Sequence, residues 1–428
     1  MIVTNKKIKN IICLVLCLVT VFSNINISYA SNADTANSAN LMERLSSIKT
    51  SDFLAPIESY GDLSRVQTFI RKIKKGGTYN IAVFGGSISA GATLASPVQS
   101  YGQLFVNWLV QNYPQSKFNF INAGYPSTNV THSCFRVNED LLVHNLDLVI
   151  LDFSVNNYED KNLCEKLESI IFRILAKNNE TAIIYLHFTE TTATHEYDGS
   201  EIVGEAPTFL TAKSDIYFAL DYYGIPSISY HKFVWQKIQD GLFTWEDVNT
   251  DLIHPNAFGH YIAANLLTTF VYFVDENLKP DAEIKIPDLR GVEDERYVYY
   301  DNVPDGVSVN GTVVTSNFIR AVPDTILNRG WIHGDPNTQG VMVIDFSPNN
   351  GIAFVVQFID AEGSNAEFII RTDGENPKKY IMKTMKNEHL RVIEYDKPVN
   401  RIELVSNLAK GNFVVRDVGI MKKPWLNI

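Results

Sequence analysis

The sequence predicts two domains of different class: an α/β domain with a parallel sheet covered on both faces, followed by an all-β domain. Three observations predict this. Short apolar runs at 80–84, 118–122, 147–153, 182–188 and 226–229 alternate with longer segments of helical period, the pattern of successive βαβ units. The run Leu148–Phe153 is almost continuously apolar, as a strand buried on both faces must be. Beyond Lys279-Pro280 the helical period disappears, and short alternating runs separated by turn residues take its place.

The chain of 428 residues is long enough for two or three domains, and its 45% hydrophobic and 11% aromatic content suits folded units rather than disorder. Its first thirty residues stand apart. Lys6, Lys7 and Lys9 precede an apolar run from Ile11 to Phe22, and Ser28-Tyr29-Ala30 supplies small residues. That is the layout of a secretory signal peptide over 1–30. The alternative is a retained anchor, but the run is short for a membrane span of about twenty residues. Cys17 follows Leu16 rather than a small residue, which argues against a lipoprotein cleavage site. The mature chain is expected to start near Ser31 and to be secreted. Cleavage removes three lysines and no acid, so the net charge moves from −11 to −14. An acidic surface repels phosphate and speaks against nucleic acid or anionic lipid as partners.

Residues 31–60, polar and rich in Ser, Asn and Ala at their start, read as an N-terminal lead-in. The α/β domain occupies 61–280. Val66, Phe69, Ile70 and Ile73 fall at helical spacing before Gly76-Gly77, so an amphipathic helix ends just ahead of the first strand. Tyr101–Tyr113, Leu163–Ala176 and Ala257–Phe273 supply further helices between or after the strands. Asp281–Glu295, charged and carrying Pro287 and Gly291, is the linker. Over 296–428 the runs Phe354–Phe358, Glu367–Arg371, Leu390–Tyr395, Arg401–Val405 and Phe413–Val418 alternate with turn signals at Asn310-Gly311, Asn350-Gly351, Asp373-Gly374 and Gly411-Asn412. Closely spaced strands of this kind predict a β-sandwich, jelly-roll-like in class.

In an open parallel sheet, ligands bind beyond the carboxyl ends of the strands, so the residues following each strand are the candidates for chemistry. After 80–84 comes Gly85-Gly86-Ser87, after 118–122 comes Ala123-Gly124-Tyr125, and after 147–153 comes Ser154-Val155-Asn156-Asn157. Near the end of the α/β region stands Asp251-Leu252-Ile253-His254-Pro255-Asn256, directly before a helix. Together they contain the parts of an acyl-transfer site. A serine hydroxyl needs a base within hydrogen-bond reach, and an imidazole titrating near neutral pH can be that base. An aspartate three residues before His254 can fix its tautomer from the same loop. The amide of Asn156 and the backbone N–H groups of Gly124 and Ser87 can meet the oxyanion. Each residue also has a bland reading: Gly124 as a strand end, Asn156 as a turn residue, Asp251 as a helix cap, His254 as a satisfied polar group. Their joint arrival at strand ends, in order, favours chemistry.

On these residues the sequence resembles the SGNH hydrolases, also called the GDSL esterase/lipase family, over about residues 78 to 277. The motif residues fall on Ser87, Gly124, Asn156 and His254, the last in a DxxH motif with Asp251. The resemblance implies a flavodoxin-like three-layer α/β/α fold and ester hydrolysis through an acyl-enzyme, without metal or organic cofactor. It implies Ser87, Asp251 and His254 as the catalytic set, and Ser87, Gly124 and Asn156 as the oxyanion hole. The sequence departs from the family in two places. Gly86 stands where the GDS motif has its acid, and Ser154-Val155-Asn156-Asn157 replaces GxND, with Asn157 where Asp is usual.

Many exported proteins resembling this one remove acetyl groups from polysaccharide, so the expected substrate is an acylated carbohydrate or another small ester. Tyr125, His187, Trp235 and Trp245 are candidates for lining a sugar cleft or, as readily, for packing. Two other readings stand beside this one: a lipase or lysophospholipase, and a glycan-binding surface protein whose hydrolase domain is inactive. The β domain could itself bind polysaccharide. Cys134 and Cys164 remain after signal removal. In a flavodoxin-like sheet ordered 2-1-3-4-5 they fall on neighbouring connections of one face. A disulfide and two buried thiols are the two outcomes.

Overall fold

Alternate residues of the strand that carries Gly85 enter two separate cores, and this alternation builds the first domain. The computed structural model describes residues 40–126, 128–157, 163–188, 210–251, 253–279 and 284, and in the C-terminal part 307–308, 311–317, 319–321, 330–346, 353–358, 365–372, 378–382, 389–394, 401–410 and 413–415. Six strands form the first sheet: β1 (Ile57–Ser59), β2 (Gly77–Gly85), β3 (Ser116–Gly124), β4 (Leu148–Asp152), β5 (Ala182–His187) and β6 (Ser227–Ser229). Their spatial order is β1-β6-β5-β4-β2-β3. Strands β2 to β6 are parallel, and β1 pairs antiparallel with β6 at the edge. Counted along the chain, the parallel strands are ordered 2-1-3-4-5, as the flavodoxin-like expectation requires.

Helices cover both faces. On one side Ile81 and Val83 of β2 and Leu148 and Ile150 of β4 pack with helices α1 (Ser64–Lys75), α2 (Tyr101–Asn112), α6 (Tyr230–Gln239) and α7 (Ala257–Glu276). On the other, Ala82, Phe84, Val149 and Leu151 pack with α3 (Val130–Val137), α4 (Leu163–Lys177) and α5 (Leu210–Tyr222). The central strand β4 is buried throughout, which is why its sequence shows no polar face. The chain reverses direction across the sheet between β3 and β4, so the crevice of this topology opens beyond the carboxyl ends of β2 and β4. Gly86-Ser87 and Asn156 follow those two strands.

Residues 40–60 correct the lead-in expectation, because they belong to the α/β domain. Residues 40–46 are helical, with Leu41 and Leu45 buried. Phe53 of the short helix Thr50–Leu54 stacks on Phe233 at 4.8 Å between ring centroids, and β1 then closes the sheet edge. Leu41, Leu45 and Ile48 do fall at helical spacing, but the polar stretch before them and a strand of only three residues obscure the domain boundary. Residues 1–30, expected to be a signal peptide, and all of 281–295 except residue 284, expected to be a linker, lie outside the described residues.

Among its described residues the second domain consists of antiparallel β-strands. One sheet has the order Lys378–Met382, Asn365–Thr372, Arg401–Lys410, Gln339–Phe346, Gly311–Ser316, Val307–Ser308. A three-stranded sheet joins Phe413–Val415, Gly330–His333 and Ile319–Ala321, and Ala353–Phe358 pairs with His389–Glu394. Ser308 pairs antiparallel with Gly311, and Asn310 of the Asn310-Gly311 signal lies outside the described residues. Met342, Leu404 and Val405 are buried there, and so is Trp331.

Candidate active site

Ser87 sits where β2 runs into a single helical turn, Ser87–Ala90, capped at its end by Gly91 in the left-handed conformation (φ 76°). The turn lies so close to the sheet that two flanking positions exclude a side chain. A Cβ on Gly124 would fall 2.1 Å from the Ala90 nitrogen. One on Gly85 would fall 2.3 Å from the Asp152 carbonyl oxygen and 2.5 Å from the Ser89 hydroxyl. Gly124 is therefore required by packing. Its N–H donates to Asn122 Oδ1 at 3.0 Å, so the backbone donor expected from the motif already has an acceptor.

The loop that carries Asp251 and His254 is tied down on every side. Thr244 and Asp247 form a reciprocal capping box on the short helix Trp245–Val248. The Trp245 indole N–H donates to the Asp251 carbonyl at 3.0 Å. The Thr250 N–H donates to the His254 carbonyl at 2.8 Å. Asn256 caps α7 by accepting from the N–H groups of Phe258 and Gly259, each at 3.0 Å. Held this way, the Asp251 carboxylate accepts the N–H groups of Ile253 (2.8 Å) and His254 (2.7 Å), and His254 Nδ1 approaches its Oδ2 at 2.8 Å.

His254 Nε2 stands 2.9 Å from Ser87 Oγ. The chemistry of the acid settles the tautomer. Burial alone would raise the Asp251 pKa, but the backbone N–H of His254, then that of Ile253, then the imidazole outweigh it, and the net direction is down. An ionised carboxylate only accepts, so Nδ1 carries the proton and Nε2 is left to accept from the serine hydroxyl. The line Ser87–His254–Asp251 is unbroken. His260, six residues further on, is a different case: burial, and secondarily the charge of His254, pushes its pKa down to about 3. It stays neutral and accepts the Tyr101 N–H at Nδ1 (3.2 Å).

Asn156 adopts φ 68°, a left-handed conformation that non-glycine residues seldom take, asparagine being one of those most often found there. Its Nδ2 lies 3.4 Å from the Thr128 carbonyl and 3.6 Å from where a Cβ on Gly86 would be, so the amide borders the Ser87 turn. Asn157, the departure from the family pattern, has a separate task. It is buried, donates from Nδ2 to the carbonyls of Phe153 and Val155 (2.7 Å each), and accepts the Val130 N–H at 2.8 Å. It thereby joins the loop after β4 to the start of α3.

Sequence reasoning missed Arg136. Fully buried, its guanidinium donates to the carbonyls of Gly85 (2.8 Å) and Ala123 (2.6 Å), pairs with Asp140 at 3.2 Å, and lies 4.3 Å above the Phe84 ring. It clasps the ends of β2 and β3 one residue before Gly86 and Gly124. A lone arginine in a mixed segment offers no sequence signal for this. The candidate cleft residues are corrected as well: Tyr125, His187 and Trp245 are buried, and only Trp235 stays partly exposed, its ring stacked against His231 at 6.5 Å. Aromatic residues beside a strand end are as readily claimed by the core. Cys134 and Cys164 are both buried and no disulfide joins them; the Cys134 thiol donates to the Lys166 carbonyl at 3.3 Å. Among the described residues no group of three His, Cys, Asp or Glu is placed to hold a metal ion.

No family model matches the chain, and no curated relative does. Solved structures do. A two-domain esterase active on acetylated mannans matches with a TM-score of 0.69 and 22% identity, over 87% of this chain and 99% of that one. The same esterase co-crystallised with mannopentaose matches with a TM-score of 0.68 and 21% identity, over 87% of this chain and 98% of that one. This chain shares the fold of that two-domain esterase, a parallel α/β domain followed by an antiparallel β domain.

Asn157→Asp tests the reading of the GxND departure. Aspartate keeps the acceptor for Val130 but turns an oxygen toward two carbonyls that now accept from Nδ2. Each buried group left unsatisfied costs about 1–3 kcal/mol, so urea denaturation should show a loss of at least that size. An unchanged midpoint would contradict the assignment.

Proposed function

We propose that this protein is a secreted serine esterase that removes short acyl groups, acetyl first among them, from polysaccharide. The observation that carries the reading is the continuous line from Ser87 Oγ to His254 Nε2 (2.9 Å) and from Nδ1 to Asp251 (2.8 Å). A serine without a base is a poor nucleophile, and binding alone has no use for such a line. Ser87 Oγ attacks the ester carbonyl carbon as its proton passes to His254 Nε2. Asp251 stabilises the imidazolium. The Ser87 N–H and the Asn156 amide face the oxyanion; the Gly124 N–H joins them only by releasing Asn122. Collapse breaks the bond to the sugar oxygen, which takes the proton from His254 and departs as the alcohol. Water, deprotonated by the same imidazole, then attacks the acyl-serine and releases the carboxylic acid.

Three things support the substrate class and location. The structurally similar two-domain esterase is active on acetylated mannans. Ser87 is 7% exposed while the Asp251 side chain is 47% exposed, so the reacting edge opens to solvent at the rim. The N-terminal thirty residues have the composition of an export signal. The all-β domain is the candidate for holding the polymer beside the site.

The test is acetate release from a panel of acetylated mannans, xylans and other polysaccharides, alongside soluble esters of increasing acyl length. The reading predicts release from at least one acetylated polymer, a preference for acetyl over long acyl chains, and loss of both activities in Ser87→Ala. A preference for long acyl chains would move the protein to the lipase class, and absence of any ester hydrolysis would make it a binding protein. Asn156→Ala should lower kcat by roughly 10²–10³, about 2.7–4 kcal/mol of transition-state stabilisation. A loss below about threefold would remove Asn156 from the oxyanion site.

A further inference from the structure

The turn that carries Ser87 has little to hold it. Four residues make one helical turn, and its N-terminal position, Gly86, offers no side-chain cap. Helix formation repays its nucleation cost only over many turns, so this one takes its orientation from outside contacts. At about 100° per residue, Ser89 lies on the side of the turn opposite Ser87. Where Ser89 is fixed, the rotation of the turn about its axis is fixed, and so is the direction of the Ser87 hydroxyl.

Ser89 is 1% exposed and is held by two buried groups. Its hydroxyl donates to Asp152 Oδ2 at 3.1 Å and stands 2.8 Å from the Tyr101 hydroxyl. With the Ser89 proton on the carboxyl, the phenol donates to Ser89. Burial first, and the Asp152 charge second, push the Tyr101 pKa upward, which keeps it a neutral donor. Tyr101 also gives its backbone N–H to His260 in the first turns of α7, the helix that follows His254. One buried path thus runs from the end of β4, through the back of the nucleophile's turn, to the element behind the base.

We propose that Asp152 is a positioning residue for the nucleophile: through the Ser89 hydroxyl it sets the rotation of the turn Ser87–Ala90 and so aims Ser87 at His254. The inference rests on the reading of Ser87 as the nucleophile. Gly85 fits the arrangement, because a side chain there would occupy the space in which the carboxyl and the Ser89 hydroxyl meet. Burial pushes the Asp152 pKa up to about 7, against the opposing pull of the Ser89 hydroxyl and the Ser154 N–H. What the path requires of Asp152 is an acceptor oxygen for the Ser89 hydroxyl, and an amide oxygen can supply one.

The experiment compares Ser89→Ala, Asp152→Ala, Asp152→Asn and Ser87→Ala in the full-length protein, with 4-nitrophenyl acetate as substrate. Active sites are counted by stoichiometric phosphonylation, so that kcat refers to folded, competent molecules. A misplacement of about 1 Å can cost on the order of 10²-fold in rate. Ser89→Ala and Asp152→Ala are expected to lower kcat per site by about 10- to 100-fold with KM within about threefold, while Asp152→Asn returns to within about threefold of the parent. A kcat per site within about threefold of the parent in both alanine variants would overturn the proposal and leave the two residues with packing alone. Turnover in Ser87→Ala would instead overturn the nucleophile assignment itself, and this inference with it.

Discussion

Everything at the site depends on how closely one helical turn approaches the end of a sheet. A methyl group on Gly124 would overlap the backbone of the turn Ser87–Ala90, and one on Gly85 would overlap the Asp152 carbonyl and the Ser89 hydroxyl. Because neither carries a side chain, the turn sinks between the ends of β2 and β3. There the Ser87 hydroxyl meets an imidazole delivered from a loop 167 residues away along the chain. Move the turn outward by the width of a methyl group and the contact with His254 is lost, whatever the residues involved. The glycines after these strands are thus a steric condition for the chemistry as well as turn punctuation.

Such a packed arrangement must dispose of the polar groups that come with it. Strand ends leave carbonyls unpaired, and a buried carbonyl without a donor is costly. Arg136 donates to two strand-end carbonyls, that of Ala123 and that of Gly85, which also accepts the Tyr125 N–H, and its charge is matched by Asp140. Asn157 does the same for Phe153 and Val155. Removing either partner of a buried pair strands a charge, which makes the Arg136–Asp140 unit hard to alter singly. The rigid frame comes from these residues, and Ser87, His254 and Asp251 stand on it toward the solvent edge.

Much of this was legible in the sequence, for physical reasons that differ from element to element. The strands β2 to β6 and the helices α1, α2, α4 and α7 announce themselves because burial on both faces of a parallel sheet demands long apolar or periodic runs. Ser87, His254 and Asp251 were found because strand ends and a DxxH spacing confine where such groups can act, and the structure brings all three within hydrogen-bond reach. Within residues 40–60, β1 escaped because a three-residue edge strand has no period to read, while the spacing of Leu41, Leu45 and Ile48 is overshadowed by the polar stretch before it. Arg136 and Asp152 escaped because their meaning lies in contacts across 51 and 63 residues of chain that no local pattern records. Gly124 was found for its place in the motif, yet its N–H is taken by Asn122 and its closest constraint is the Ala90 backbone. In sequence, Tyr125, His187 and Trp245 fit a cleft lining and core packing equally, and the structure buries all three. Only packing separates those alternatives.

The central claim is that Ser87 is the group made nucleophilic by the His254–Asp251 pair. The most direct measurement is to treat the full-length protein with a serine-directed phosphonylating reagent and locate the adduct by peptide mass mapping, as a function of pH and in His254→Ala. The account predicts one adduct per chain, on Ser87, whose rate of formation falls by orders of magnitude when the imidazole is removed. An adduct on another residue, or equal labelling of Ser87 with and without His254, would contradict it.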